Sequence, residues 1–137
     1  MADYTIKRVE EFDAIFKGGF RRVRAGLGVT SFGVAVMHLP RNFRHYPLHD
    51  HTHDSQEEVY TVTEGRATLI LDDGSHELEP GVWARVGPGE QRKLETGEEP
   101  ATVIAIGAVP GGVYEPPEFT EEGAPDPLGV SGDVPLT

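Results

Sequence analysis

The sequence predicts an all-β barrel or sandwich. Three observations carry that reading: 17 glycines and 11 prolines in 137 residues, a series of short apolar segments after Glu57, and a turn signal at each join between them. A hydrophobic content of 37% suits one compact domain rather than a helical bundle.

The segments follow in order. Residues 30–39 (TSFGVAVMHL) place Phe32, Val34, Val36 and His38 on one face and Gly33, Ala35, Met37 and Leu39 on the other, a buried strand ended by Pro40. EVYTV follows from Glu57, RATLILD follows Glu64-Gly65, SHELE follows Asp73-Gly74 and VWARV follows Pro80-Gly81. Asp73-Gly74 reads as the central pair of a type I′ hairpin, because both positions tolerate positive φ. Gly87-Pro88-Gly89 makes a further turn, and residues 101–109 (ATVIAIGAV) are the last strongly apolar strand. Ahead of the barrel, residues 8–17 space Val9, Phe12, Ile15 and Phe16 as on a helix, with Gly18-Gly19 as its stop. The reading is therefore one domain over residues 1–120, with a short N-terminal helix and a barrel core at about 28–109. An acidic Gly/Pro-rich tail follows at 121–137, loosely ordered, with Val113, Tyr114 and Phe119 pinning the chain before it to the barrel.

The charge balance excludes two classes of partner. Acidic residues number 23 against 12 basic ones, for a net charge of −11, which repels nucleic-acid phosphates and anionic lipid at long range. With no cysteine, any metal must be held by nitrogen and oxygen. No signal-peptide pattern and no apolar run of about 18 residues occurs, so a cytoplasmic location is expected.

The chemistry concentrates between His45 and Gly65, where four of the six histidines fall within nine residues. Side chains alternate along a strand, so His49, His51 and His53 project together, as do Glu58, Tyr60 and Val62. Two imidazoles and a carboxylate facing one interior are what a divalent transition metal needs.

Here the spacing resembles a known family. His51-x-His53, four residues, Glu58, six residues and Gly65 are similar to the first motif of the cupin superfamily. The second motif, Gly, five residues, Pro-x-Gly, two residues, His, corresponds to Gly81-VWARV-Gly87-Pro88-Gly89-Glu90-Gln91-Arg92. The resemblance implies a double-stranded β-helix, or jelly-roll, and a homodimer; the strands before Pro40 and after Ala101, each apolar on two faces, are the expected participants. It implies a metal (Fe, Mn, Ni or Zn) on His51, His53 and Glu58. The sequence departs from the second motif at two positions: Gly87 stands where the motif has proline, a mild change in a turn, and Arg92 stands where the family carries its last histidine and has no lone pair to offer a cation.

His49 does not simply complete the set. Next-but-one strand residues are about 6.6 Å apart and His49 to His53 about 13 Å, so only two of the three histidines converge without a sharp bend. His51 and Glu58 form the centre, and His49 and His53 are rivals for one position. Three plainer readings stand beside this one: histidines lining a polar barrel mouth beside Asp50 and Asp54, an internal Glu58–Arg92 pair replacing the metal, and Glu57, Arg92 and Lys93 on a solvated face. Tyr60 is either a pocket hydrogen-bonding group or core, Trp83 reads as core, and His38, His45 and His76 read as structural.

Two functions follow from the residues. In one, the metal site works on a small molecule that Arg92, Tyr60 and His49 help to bind, with Arg92 clamping an anionic group. In the other, a metal-free binding or regulatory protein pairs Arg92 with Glu58. The sequence names no catalytic residue.

Overall fold

A computed structural model of the chain describes residues 2–127. Its strands are β1 (Ala14–Ile15), β2 (Phe20–Arg21), β3 (Gly33–Leu39), β4 (Glu57–Gly65), β5 (Ala67–Leu71), β6 (Gly74–Leu78), β7 (Trp83–Val86), β8 (Lys93–Glu95) and β9 (Ala101–Ala108). One sheet runs β1-β2-β3-β9-β4-β7 and the other β6-β5-β8, with all pairings antiparallel. The insertion of β9 between β3 and β4 crosses the chain over itself, as a jelly-roll does.

The alternation of apolar residues closes the core. Met37, Leu39, Tyr60, Val62, Val86 and Val103 of the large sheet meet Leu69, Leu78 and Leu94 of the small one, each 2% exposed or less. Gly65 ends β4 at φ +76, where a Cβ would lie 1.8 Å from the Pro100 carbonyl oxygen, so the backbones approach closely only because that residue is glycine. Residues 43–49 run extended beside β8. His49 and Arg92 exchange both backbone hydrogen bonds, at 3.1 and 2.8 Å, and so sit side by side.

Four expectations shift. The short helix is α1 (Val23–Leu27), not residues 8–17. The earlier stretch is a 3-10 turn (Val9–Glu11) followed by β1, and Phe12, Ile15 and Phe16 are buried by the barrel while Val9 is exposed. Tertiary burial rather than helical periodicity set that spacing. The hairpin between β5 and β6 turns one residue early: Leu71 pairs with Gly74, the loop is Asp72-Asp73, and Gly74 alone takes a positive φ, +132. Trp83 is 68% exposed, because β7 is a sheet edge and its tryptophan faces outward. β8 was not read at all, since Lys93-Leu94-Glu95 offers a single inward residue.

The stretch before the tail straps across the barrel and is held at several points. Tyr114 is buried on Gly33, Phe119 lies 5.4 Å from Phe20, and Val113 is 82% exposed. Arg22, 2% exposed, donates to the Phe119 and Ala124 carbonyls at 2.8 Å and pairs with Asp13 at 2.7 Å. Asp13 also accepts from the Gly123 backbone at 3.1 Å. The tail beyond Pro127 lies outside the described residues. Among the described residues no helix is long and apolar enough to cross a membrane.

Candidate functional site

The histidine segment leaves strand geometry after His49. A turn closes over His51–Ser55: the amides of Ser55 and Asp54 point to the His51 carbonyl at 2.7 and 3.3 Å, and Ser55 adopts φ 60. Asp50 accepts from the Thr52 amide and hydroxyl, and Asp54 accepts from the Gln56 amide. Such local side-chain hydrogen bonds are the reason Asp and Ser favour turns. The turn carries His53 outward while His49 and His51 stay on the cavity side.

His49, His51 and Glu58 come together, offering one ligand atom each within 4.8 Å of one another. His53 is turned out on the bend, its side chain 74% exposed; its ring stacks on His51 at 5.8 Å, and its Nε2 lies 3.5 Å from Asp54. His51, His53 and Asp54 also meet the 4.8 Å spacing, but at the surface. His38 is exposed, beside the Thr102 hydroxyl at 3.3 Å, and His76 contacts Asp73 at 2.7 Å, both away from this group.

Each clustered imidazole has one nitrogen already committed. His49 Nδ1 donates to the Pro47 carbonyl at 3.0 Å, so its Nε2 carries the lone pair when the ring is neutral. His51 Nδ1 donates to the Asp54 carboxylate at 3.0 Å, and its Nε2 faces Glu58 Oε1 at 3.2 Å. Asp54 is the orienting residue that the sequence reading placed only as a neighbour.

Glu58 Oε1 is crowded. It accepts from Tyr60 Oη at 2.5 Å and from Arg92 Nη1 at 3.1 Å, besides facing His51. Oε2 has no partner among the described residues. Arg92 is fully buried and donates its other terminal nitrogen to the Gly87 carbonyl at 2.5 Å. The pair reading of Glu58 and Arg92 is thus present as geometry, and Arg92 is not on the solvated face. Glu57 is outside, against Arg85, and Lys93 contacts Glu95 at 3.1 Å.

The electrostatics follow from burial and these partners. Burial pushes the Glu58 carboxyl up, but hydrogen bonds from His51 and Tyr60 and the nearby cations outweigh it, so the net direction is down. His51 moves the other way: burial lowers it, and Glu58 and Asp54 more than reverse that. His49 goes down, chiefly through burial. Tyr60 and Tyr46 are both pushed up by burial, with the Glu58 charge adding to it, so both stay protonated.

These groups close the polar end of a cavity of about 330 Å³. Its apolar wall includes Phe20, Met37, Tyr46 and Phe119, and Tyr114 and Thr120 of the strap lie across it. Glu58, His49 and His51 line it, whereas Tyr60 and Arg92 stand behind Glu58 and do not. The side chain expected to clamp an anion is therefore turned away from the space a ligand would fill. Arg24 lines that space instead, and no motif marks it, because it lies on α1 ahead of the barrel.

A barrel with a histidine–glutamate group at one end of its cavity is the architecture of cupins. Residues 36–107 match the cupin domain family, and the chain belongs to that family. Solved structures of similar fold include a cupin protein from Bacteroides fragilis, 22% identical, covering 85% of this chain and 93% of its own with a TM-score of 0.66. A sugar phosphate isomerase from a cupin superfamily of Silicibacter pomeroyi is 21% identical over 76% of this chain and 75% of its own, with a TM-score of 0.63. The DMSP lyase DddQ from Ruegeria pomeroyi is 20% identical over 67% of this chain and 45% of its own, with a TM-score of 0.52. At these identities the likeness is one of fold. No curated protein matches the chain.

Proposed function

We propose that this chain is a small-molecule-binding cupin in which His49, His51 and Glu58 hold a divalent transition metal at the polar end of the cavity. The observation that carries the reading is the commitment of both Nδ1 atoms, to Pro47 O and to Asp54, which leaves the Nε2 lone pair of His49, and that of His51 when its ring is neutral, beside a carboxylate. An acceptor on the far nitrogen is how protein sites orient and strengthen metal-binding histidines. The donor set suits Fe, Mn, Ni or Zn and leaves coordination positions open. Bound there, the metal supplies a Lewis acid or an oxygen-activating centre.

The chain's own residues have distinct tasks in this reading. Asp54 and Pro47 fix the two rings, and Tyr60 and Arg92 keep Glu58 ionised and aimed at the cavity. The apolar wall excludes water from whatever small molecule enters. His53, on the exposed bend, is not a ligand. The neighbours include a lyase and an isomerase, so fold likeness selects no reaction.

A second reading has its own observation, the buried Arg92 held 3.1 Å from Glu58. In it the pair neutralises the site, and the cavity binds a small polar ligand without metal. Metal titration of chelator-treated protein, read by calorimetry and elemental analysis, separates the two. The metal reading expects stoichiometric binding that His49→Ala and His51→Ala abolish and His53→Ala keeps. Negligible binding by the unaltered protein overturns it in favour of the pair, and loss with His53→Ala alone moves the site to the surface bend.

The protein is further proposed to act as a homodimer in the cytoplasm. β3 and β9 are interior strands, each bonded to strands on both sides, so they do not join copies through their edges. Their outward faces support association instead. Val36, Ile104, Thr61 and Trp83 form one cross-strand row on the outer side of the large sheet.

A further inference from the structure

We infer that Arg24 anchors an anionic group, a carboxylate or phosphate oxygen, on the molecule that fills the cavity. The inference rests on the reading of the cavity as a ligand site and adds the ligand's charge.

Arg24 lies on α1 with its side chain 8% exposed, and it forms part of the cavity wall. A buried guanidinium normally has its five N–H groups satisfied. Here Nη1 donates to the Val29 carbonyl at 3.0 Å, while Nε and Nη2 have no hydrogen-bond partner. The counter-charge is Glu121, whose Oε2 lies 3.0 Å from Nη2 but outside hydrogen-bond geometry. Glu121 is half exposed and belongs to the strap, so it neutralises the arginine from a place that an incoming carboxylate or phosphate competes for. Nε and one terminal nitrogen are the pair of donors that meets a carboxylate or phosphate side-on.

The surroundings fit one charged end on a small ligand. Arg24 and Tyr114 line the same cavity as His49, His51 and Glu58, so one ligand can meet the arginine and the histidine–glutamate group together. The second cation near the site, Arg92, gives its terminal nitrogens to Glu58 and Gly87; its Nε is buried and unpaired too, but Arg92 does not line the cavity and Arg24 does. On a chain of net charge −11, an anion that enters finds its cation at Arg24.

The test titrates benzoate, inorganic phosphate and the neutral isostere benzamide into chelator-treated, dialysed protein, read by calorimetry and by the Arg24 side-chain NMR signal. The expected result is a preference for an anion over benzamide, with the Arg24 signal moving. Arg24→Gln should remove that preference, by about tenfold for the loss of a charge-assisted hydrogen bond. Arg24→Lys should keep part of it, and Glu121→Gln, on the half-exposed strap, should tighten anion binding by removing the competing carboxylate. Equal binding of benzoate and benzamide, no binding of any probe, or an unchanged preference in Arg24→Gln overturns the proposal. Metal loading, measured separately, fails or succeeds on its own: lost anion preference with intact metal binding sinks only this inference, and the converse sinks only the metal reading.

Discussion

Arg92 Nη1 sits 3.1 Å from Glu58 Oε1, a cation held at the position from which the family's second motif presents a histidine. The substitution Arg92→His removes a charge that competes with a metal and adds a nitrogen donor. It should raise divalent-metal affinity about tenfold or more, the scale on which single supporting groups act in metal sites. Calorimetric titration checks this, and an unchanged affinity would mean that position 92 does not face the ligand set. Arg92→Met should instead destabilise the metal-free protein by about 1–3 kcal/mol, since it removes the buried cation and leaves Glu58 to Tyr60 and His51 alone. Urea denaturation reads that loss.

Asp54 supports the site through His51 rather than by touching a ligand. Asp54→Asn keeps the size of the side chain and the turn but weakens the acceptor at His51 Nδ1, 3.0 Å away. Metal affinity should fall about 10- to 100-fold with no comparable loss of thermal stability. An equal loss in melting temperature would assign Asp54 to the turn alone.

The strands were legible because turn chemistry and alternation coincide. Glu64-Gly65 and Pro80-Gly81 interrupt segments whose residues alternate between faces, and Gly65 carries a backbone contact that no other residue permits. Glu58 was readable as inward from parity alone. What escaped depends on tertiary partners. The spacing of Phe12, Ile15 and Phe16 is met by packing against the barrel, a burial that periodicity cannot tell from a helix. His53 was carried with His51 by motif spacing, although Asp50, Asp54 and Ser55 around it spell a turn. Arg24 had no local signal, because its meaning comes from the strap that closes over it about a hundred residues later.

Acid should loosen the strap. The Gly123 amide and the Arg22 guanidinium hold the Asp13 carboxyl below its usual value. A depressed carboxyl stabilises the folded state fully above its unfolded pKa of 3.8, and that contribution is lost as pH falls through the lower, folded value. The effect belongs below about pH 4 and is absent near neutrality. Hydrogen exchange at Gly123 should accelerate there before the β4 and β9 amides do, and Asp13→Asn should show the faster exchange at every pH. Simultaneous exchange of strap and barrel would mean that Asp13 clips nothing separately.

The outer face of the large sheet leads to an oligomeric prediction. Val103 and Tyr60 point into the core, so Ile104 and Thr61 must point out, and the register aligns them with Val36 and Trp83. Val59 and Ile106 form the adjoining pair on the same face. Of this row Trp83 is 68% exposed while Thr61 is buried, and an exposed tryptophan beside partly covered aliphatic groups is a composition found in interface cores. A stable dimer needs about 800 Å² from each copy. Light scattering should therefore give twice the chain mass at micromolar concentration, and Ile104→Asp, which puts an unpaired charge at the centre of that face, should give the monomer with its β-sheet circular dichroism intact. A monomer before substitution would remove the face from the argument, and a dimer that survives Ile104→Asp would place the contact elsewhere.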